Sequence, residues 1–479
     1  MFFYNVEEEI KEIKKQLNNS FDVESRIIVK NNQKIGLIYL KSMTDGKVFS
    51  ESIYKVINEF EGKLTNENLL NKVILSNDVS EINKDEVVQK ILDGCVIILT
   101  GNSEKFVSAE IQKYPQRTPS EPPTTPVING PREGFTEDIK TNITLLRRRF
   151  YSKDLVLTNL NVGRYTKTKI VVAYINGIAD KRIVRKIISR LKRIDVDGII
   201  DSYYILEYLQ ERPHSLFKQV GFNEKPDVIS AKMLEGRVAI IVDNSPIVLT
   251  LPFVIIEDIQ NSNDYYANHY YAGYLRIIRI IGLLMAVFGP GLFLSLRLYH
   301  YYILPLKYLI TISDTTQNIP FTPFIEILFV SMLFQILYEV SLRLPSYLGL
   351  ATSVVGALIL GDTGVKAGLI SPPTVIIVAL AKIAQYTVPE QNYQITILQL
   401  LFLILGGALG IFSIVGGMIY LVQYLTTIDS YSAPYLAPFT PKVDSDLKDA
   451  IFKTSFTNMK QRPQSFSNVN KDRMKWIQS

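Results

Sequence analysis

GLIYLKSMTDGKVFSESIYKVI, residues 36–57, returns as VVAYINGIADKRIVRKIISRL, residues 171–191, with Tyr39 matched by Tyr174 and Asp45 by Asp180 at an offset of 135. Further along, ILDGCVIILTGN around Gly94 returns as MLEGRVAIIVDN around Gly236 at an offset of 142. Each copy reads as an apolar strand, a turn carrying aspartate, a helix, then a glycine turn into a second strand of β-branched residues. The pattern predicts two α/β modules, 1–113 and 151–271, each a sheet covered by helices. Asp45 and Asp180 lack a histidine, a phosphate-cradling glycine loop or a second carboxylate at useful spacing, so they read as turn residues and the modules as non-enzymatic.

Between the copies, Tyr114–Pro131 holds six prolines, which exclude helix and central strand and predict an extended connector, either strapped over the surface or free. It runs into PREGFTEDIKTNITLLRRR, residues 131–149, and the two together make a linking segment, 114–150. Here Gly134 loosens the entry, Thr136 is placed to cap, and Glu137 and Asp138 fall in a first helical turn. Ile139, Ile143, Leu146 and Phe150 draw one apolar stripe, and Arg147, Arg148 and Arg149 close the helix with cations.

The charge of the chain is unevenly spread. Residues 272–430 carry 13 charges in 159 positions, against 20% charged residues overall, so this block has an apolar solvent and reads as a helical membrane domain. Ile280–Leu296 is one span with Gly289, Pro290 and Gly291 as a candidate hinge. Ile327–Tyr338 is too short to cross unless extended through Glu339 and Arg343, whose i,i+4 spacing allows an ion pair facing either the bundle interior or the interface. Leu344–Leu360 is followed by GDTGVKAGLISPP, where glycines and prolines around Asp362 and Lys366 predict a sharp break: a discontinuous helix, or a loop between shorter spans. Ile395–Ile428 runs 34 residues without a charge, either one long tilted helix or two spans meeting at glycines. Gly406 and Gly410 are spaced for close packing, between copies or within one.

After Ser430 eight bases and four acids make a basic tail, 431–479, and the positive-inside bias puts it on the same side as the N-terminal modules, with four or six crossings between. The start of the chain lacks a secretory signal's apolar core, so that side is expected to be cytoplasmic. Lys181–Arg193 is a basic amphipathic helix that either touches anionic lipid or covers the sheet with its basic side solvated. The lone Cys95 and the scattered His214, His269 and His300 supply no disulfide and no metal set, and no cofactor or nucleic-acid motif appears.

PREGFTEDIKTNITLLRRR strongly resembles the signature of the A subunits of GerA-type spore germinant receptors, inner-membrane proteins through which dormant spores respond to nutrients. The blocks around Asp201–Tyr203, Lys225–Asp227, Asp264–Tyr266 and Leu344–Gly361 follow in family order. SYSAPYLAPF, residues 430–439, matches a later block, with Tyr431 and Ser432 where the family carries an aromatic and a glycine. The resemblance implies duplicated cytoplasmic α/β modules followed by a polytopic transmembrane domain, a transporter-like B subunit and a lipoprotein C subunit as partners, and a homo-oligomer that conducts cations across the spore inner membrane. Under that reading Leu344–Leu360 is the pore helix, with Ser353, Val354, Gly356 and Leu358 at its constriction. A sporulation-associated paralogue, a secondary transporter and a pore-less scaffold are the competing readings.

Overall fold

The computed structural model describes residues 5–30, 33–74, 79–101, 103–111, 129–317, 319–345, 349, 354, 356 and 358–474. The first module is built on β1 (Val23–Lys30), β2 (Gln33–Leu40), β3 (Val79–Ile82), β4 (Cys95–Leu99) and β5 (Phe106–Glu110), in the order β1-β2-β4-β5-β3. The second is built on β6 (Leu155–Val162), β7 (Thr168–Ile175), β8 (Gly221–Asn223), β9 (Val238–Val242) and β10 (Val248–Leu251), in the corresponding order β6-β7-β9-β10-β8. Every pairing in both sheets is antiparallel.

Both faces of each sheet are buried, because alternate side chains point to opposite sides. In the second module Ile170 and Val172 join one core and Val171 and Ala173 the other. Helix α1 (Val6–Gln16) covers one face of the first sheet, and a Cβ at Gly36 of β2 would overlap Val6 and Ile10. Helix α2 (Ile139–Arg147) takes the same place on the second sheet and buries Ile139, Ile143 and Leu146, with Phe150 just beyond its end. At roughly 1.5–3 kcal/mol per buried side chain, that stripe anchors α2 in the second core. The opposite face is covered by α3 (Lys181–Lys192) through Ile183, Val184, Ile187 and Leu191. Asp180 caps α3 by accepting from Arg182 N at 2.7 Å, and Asp45 caps the helical stretch 46–59 by accepting from Lys47 N at 2.9 Å. Helices α4 (Ser202–Leu209) and α5 (Pro226–Leu234) complete the module.

Helix α6 (His269–Leu298) leaves the second module unbroken through Gly289, Pro290 and Gly291. At its far end lies α7 (Leu306–Thr316), followed by α8 (Pro323–Arg343), α9 (Pro372–Gln385), α10 (Asn392–Leu409) and α11 (Ile411–Thr426). Among the described residues, three helical stretches are long and apolar enough to cross a bilayer, His269–Leu298, Pro323–Arg343 and Pro389–Leu409, while α9 and α11 are shorter apolar helices. The 34-residue uncharged run is therefore two helices. Gly410, at φ +67°, reverses the chain, and Ser413 Oγ donates to Leu405 O at 2.5 Å across the turn. Helix α11 returns to the second module, where Tyr424 Oη meets Ser215 Oγ at 3.1 Å.

The glycine pair divides its work. Gly406 packs within the chain: a Cβ there would fall on the backbone of Gly291, and a Cβ at Gly291 would fall on the carbonyl of Phe402, so α6 and α10 touch backbone to backbone. The break expected within GDTGVKAGLISPP falls in its second half. Residues 359–366 stay helical through Gly361 and Gly364, and the chain turns at Gly368, φ +68°.

The basic tail is a packed strap over the second module. Tyr431 is buried in the second module's core and its Oη donates to Leu209 O at 3.1 Å, Arg462 Nε donates to Leu234 O at 2.8 Å, and Val469 N donates to Ile178 O at 2.9 Å. Tyr431 and Ser432 form a two-residue turn between β11 (Asp429–Ser430) and β12 (Ala433–Pro434), both with positive φ. Buried side chains and specific hydrogen bonds, not its net charge, decide where the tail goes.

Two predictions follow from these backbones. Gly291→Val and Gly406→Val should each destabilise the detergent-solubilised protein by at least the ~1–3 kcal/mol of an overpacked core, read as a lower thermal midpoint, whereas Gly416→Ala, with open space around its Cβ, should be neutral or stabilising. Ser432→Gly should raise stability by about 1 kcal/mol by relieving the left-handed conformation, measured in the same melts.

Candidate coupling site

The loop ahead of α2 is locked by its own side chains. Asp138, not Thr136, is the N-cap, accepting from Lys140 N at 3.3 Å and Thr141 N at 3.0 Å. Thr136 is held instead by buried Asn142, whose Oδ1 accepts from Thr136 N at 2.8 Å. Phe135 is buried and its N donates to Glu224 O at 2.8 Å, while Glu137 O accepts from Asn244 N at 2.9 Å. Pro131 and Arg132 are exposed, Gly134 is half-buried, and Glu133 folds back to pair with Arg148 at 3.2 Å and Arg149 at 2.8 Å.

Arg147 departs from its neighbours. It is 2% exposed and lies across the junction of the two modules, with Nη2 2.9 Å from Asp22 Oδ1 and Nε 3.0 Å from Oδ2. Ser20 and Ser42 complete the carboxylate's shell at 2.8 and 3.1 Å, and Arg147 Nη2 also donates to Ser20 Oγ at 3.0 Å. The junction extends over the edge of β6, where Phe21 N donates to Leu157 O at 3.1 Å and Leu157 N donates to Ser20 Oγ at 3.1 Å. A bidentate arginine–carboxylate pair, with both carboxylate oxygens also accepting from serine hydroxyls, is the arrangement in which a buried charge is tolerated.

Three separated blocks of sequence converge beside this loop. Gly130 lies against the ring of Tyr266, and Tyr266 Oη donates to Asp227 Oδ2 at 2.6 Å. Burial and the Asp227 carboxylate hold the Tyr266 phenol well above its ordinary range, so it stays a donor. Lys225 is wholly buried, 3.5 Å from Asp227.

Two residues before Tyr266, Asp264 reaches the first membrane helix. It pairs with Arg276 at 3.1 Å and with Arg279 at 2.7 and 2.9 Å, and both Asp264 and Arg276 are fully buried. The tail closes the cluster: Arg276 Nη1 donates to Asp449 Oδ1 at 3.0 Å and Ala450 O at 2.8 Å, Tyr265 Oη donates to Asp449 at 2.9 Å, and Lys453 donates to Asp264 O at 2.7 Å. A second layer sits alongside, with Lys218–Asp258 at 2.6 Å, Gln391 of the α10 approach donating to Asp258 at 2.8 Å, and Glu257 between Lys232 at 2.7 Å and Arg237 at 2.5 Å. Burial alone would raise the Glu257 carboxyl, but its two cations overcome it and hold it below its ordinary value.

Contacts and the short stretches of chain between them thus run from Asp22 of the first module to Arg147, from Phe135 to the Glu224 carbonyl, from Asp227 to Tyr266, and from Asp264 to Arg276 on α6. The sequence singled out the loop, its arginines with Glu133, and the blocks holding Asp227 and Asp264, but not Asp22 or Asp449. Asp264 and Asp449 are 185 positions apart, and Arg276 and Arg279 read only as cations flanking a span.

In the bundle, Ser353 lies outside the described residues. Val354 and Leu358 are 63% and 62% exposed, whereas Gly356 between them packs on Leu337. Asp362 and Lys366 pair at 2.8 Å and Glu339 and Arg343 at 2.6 Å, both pairs exposed. At the far end Glu326 is buried, accepting from Arg297 at 2.8 Å and from Ser371 N and Oγ at 2.7 and 2.5 Å, which pins α6, α8 and α9 together. His300 is buried beside Gly410 and Phe412 as a packing group.

Two α/β modules joined by buried charge to a bundle with membrane-length helices define the class, a membrane protein with an N-terminal α/β region. The chain belongs to the Bacillus/Clostridium GerA spore germination protein family, whose model matches residues 11–465. It is 30% identical over 474 residues to spore germination protein KA of Bacillus subtilis (strain 168), covering 97% of this chain and 87% of that one. It is 29% identical over 458 residues to spore germination protein GerQA of Bacillus cereus, covering 95% and 91%. A crystal structure of the N-terminal domain of the A subunit of the Bacillus megaterium spore germinant receptor GerK3 aligns at 26% identity and a TM-score of 0.41, covering 52% of this chain and 96% of that one.

Removing one member of the Arg147 pair strands a buried charge, so Arg147→Met or Asp22→Leu alone should cost about 3–5 kcal/mol, and the double substitution should recover most of it. Arg148→Glu, at an exposed pair, should cost under about 1 kcal/mol. Thermal unfolding of the four variants in detergent checks this; a double variant no better than its parents would place the stability elsewhere.

Proposed function

We propose that this chain is the A subunit of a nutrient germinant receptor, acting with a transporter-like B subunit and a lipoprotein C subunit in the spore inner membrane, modules and tail on the cytoplasmic side. In this reading copies of the chain assemble into an oligomer whose membrane helices enclose a cation path, opened when a nutrient binds elsewhere in the receptor. The two modules are a duplicated unit, an even number of crossings, four or six, brings the chain back to its starting side, and the contacts from Asp22 to Arg276 carry assembly or ligand state into α6. The candidate hinge Gly289–Gly291 is held against α10, so α6 would move there together with α10.

The observation that carries conduction is the outer face of residues 354–366. Val354, Leu358, Asp362 and Lys366 follow one another at +4, so two exposed apolar positions continue into an exposed ion pair. Ionisable groups within membrane segments usually face protein or water, not lipid. An oligomer supplies both, with the apolar pair as a constriction that gates by drying and the charged pair at its mouth.

Ion flux through the full receptor reconstituted in vesicles tests this. Val354→Ser and Leu358→Ser should raise resting cation leak and, in spores, cause premature germination. The same change at Leu401, also on the bundle's exposed surface but remote from that stripe, should not. Reduced protein with unchanged efflux per molecule across the series would remove the pore assignment. No flux from a verified oligomer under any nutrient would favour a scaffold.

A further inference from the structure

We infer that the second module docks on anionic lipid headgroups through the outer face of α3 and the tyrosines of α4. The inference rests on the bundle being membrane-embedded and is independent of conduction.

The inner stripe of α3 covers the sheet, and this leaves its other side free. Lys181–Arg193 contains seven bases and no acid, and Lys181, Arg182, Arg185, Lys186, Lys192 and Arg193 are exposed. At 3.6 residues per turn these positions share one broad arc opposite Ile183, Ile187 and Leu191. Only two are neutralised: Arg182 pairs with Asp180 at 2.8 Å and Lys186 pairs with Glu211. Among the described residues, Lys181, Arg185, Lys192 and Arg193 have no carboxylate within ion-pair distance. Fold stability does not require such a face, since a helix covering a sheet needs only its apolar stripe.

The face is also in the right place. Arg190, at the edge of the arc, donates to Tyr431 Oη at 3.2 Å, and Tyr431 follows directly on the end of α11. Arg212, just beyond α4, donates to Thr427 at 2.9 Å, and Ser215 meets Tyr424 of α11. Helix α4 therefore lies where the bundle joins the module. Three of its eight residues, Tyr203, Tyr204 and Tyr208, are exposed tyrosines. Tyrosine is the side chain that sits at headgroup level, apolar ring inward and hydroxyl in water. Cations beside interfacial tyrosines, held at the root of membrane helices, match an anionic bilayer surface, whose attraction reaches only about a Debye length, ~8 Å.

The test is amide hydrogen exchange on the full-length protein in nanodiscs of phosphatidylcholine alone or with about 30% phosphatidylglycerol, where α3 and α4 should exchange roughly fivefold more slowly in the anionic discs. High salt should erase the difference, and so should Arg185→Gln with Lys192→Gln and Arg193→Gln, all at exposed positions. Equal exchange in both lipids while α6 stays protected would overturn the docking but not the membrane reading. Protection appearing only when partner subunits are added would also overturn it, in favour of a protein interface. An α6 that is unprotected in both discs would instead sink the membrane reading beneath it.

Discussion

Arg276 has no exposed surface and enters α6 within two turns of its start, so everything around it must serve one charge. Removing a guanidinium from water costs several kcal/mol unless its donors are met by acceptors of opposite charge. Asp264 cannot meet them alone, because it is shared with Arg279, and Asp449 and the Ala450 carbonyl take the Nη1 hydrogens, while Nη2 is buried with no hydrogen-bond partner among the described residues. That need fixes three otherwise independent parts, the end of module two, the root of the first membrane helix and the tail. It explains why a tail rich in lysine and arginine folds back on the protein: Lys453 lies over Tyr265 and donates to the Asp264 carbonyl, and Arg237 stacks 4.0 Å from the Phe466 ring.

The Arg147–Asp22 pair does for the two modules what Arg276 does for module and membrane. Each buried arginine is met by an acid from a distant part of the chain, so neither half of the contact can be satisfied locally. Such contacts are poor sources of net stability and strict about geometry. A displacement of either module leaves a charge unpaired, which makes the joints stiff. Between them the loop 131–138 is tied by its own amide and carboxylate groups, so motion of α2 must carry the loop with it.

Much of this was readable from residues. The repeat placed both sheets, and the aspartates at its turns are helix caps because an acid ahead of a helix satisfies free N–H groups whatever the tertiary context. The stripe from Ile139 to Phe150 was legible for the same reason: its period is local. The N-cap was misplaced by two residues because Thr136 and Asp138 are both competent caps, and only the contact of Thr136 with Asn142 decides between them. The glycine pair was assigned a role but not a partner, since 115 positions separate Gly291 from Gly406 and nothing in either segment announces the other. The burial of Arg147 and Arg276 was not legible at all. In sequence a cation at a helix end looks alike whether it meets water or a buried acid.

The bundle is mechanically uneven, and the glycines show where. At Gly291 and Gly406 two helix backbones touch, with no side chain between them to rearrange, and the contact continues through Phe288 on Phe402 at 4.5 Å between ring centres. Helices α6 and α10 therefore move as one body. Glu326 adds the far ends of α8 and α9 to it through Arg297 and Ser371. Residues 354–366 have no comparable tie among the described contacts: Gly356 rests on the flexible end of Leu337, and the charges at Asp362 and Lys366 satisfy each other. A side-chain contact yields where a backbone contact does not, so displacement of α6 by the modules would be transmitted whole to α10 and would be taken up at the 354–366 segment. The place most able to change shape is the one whose outward face is least suited to lipid.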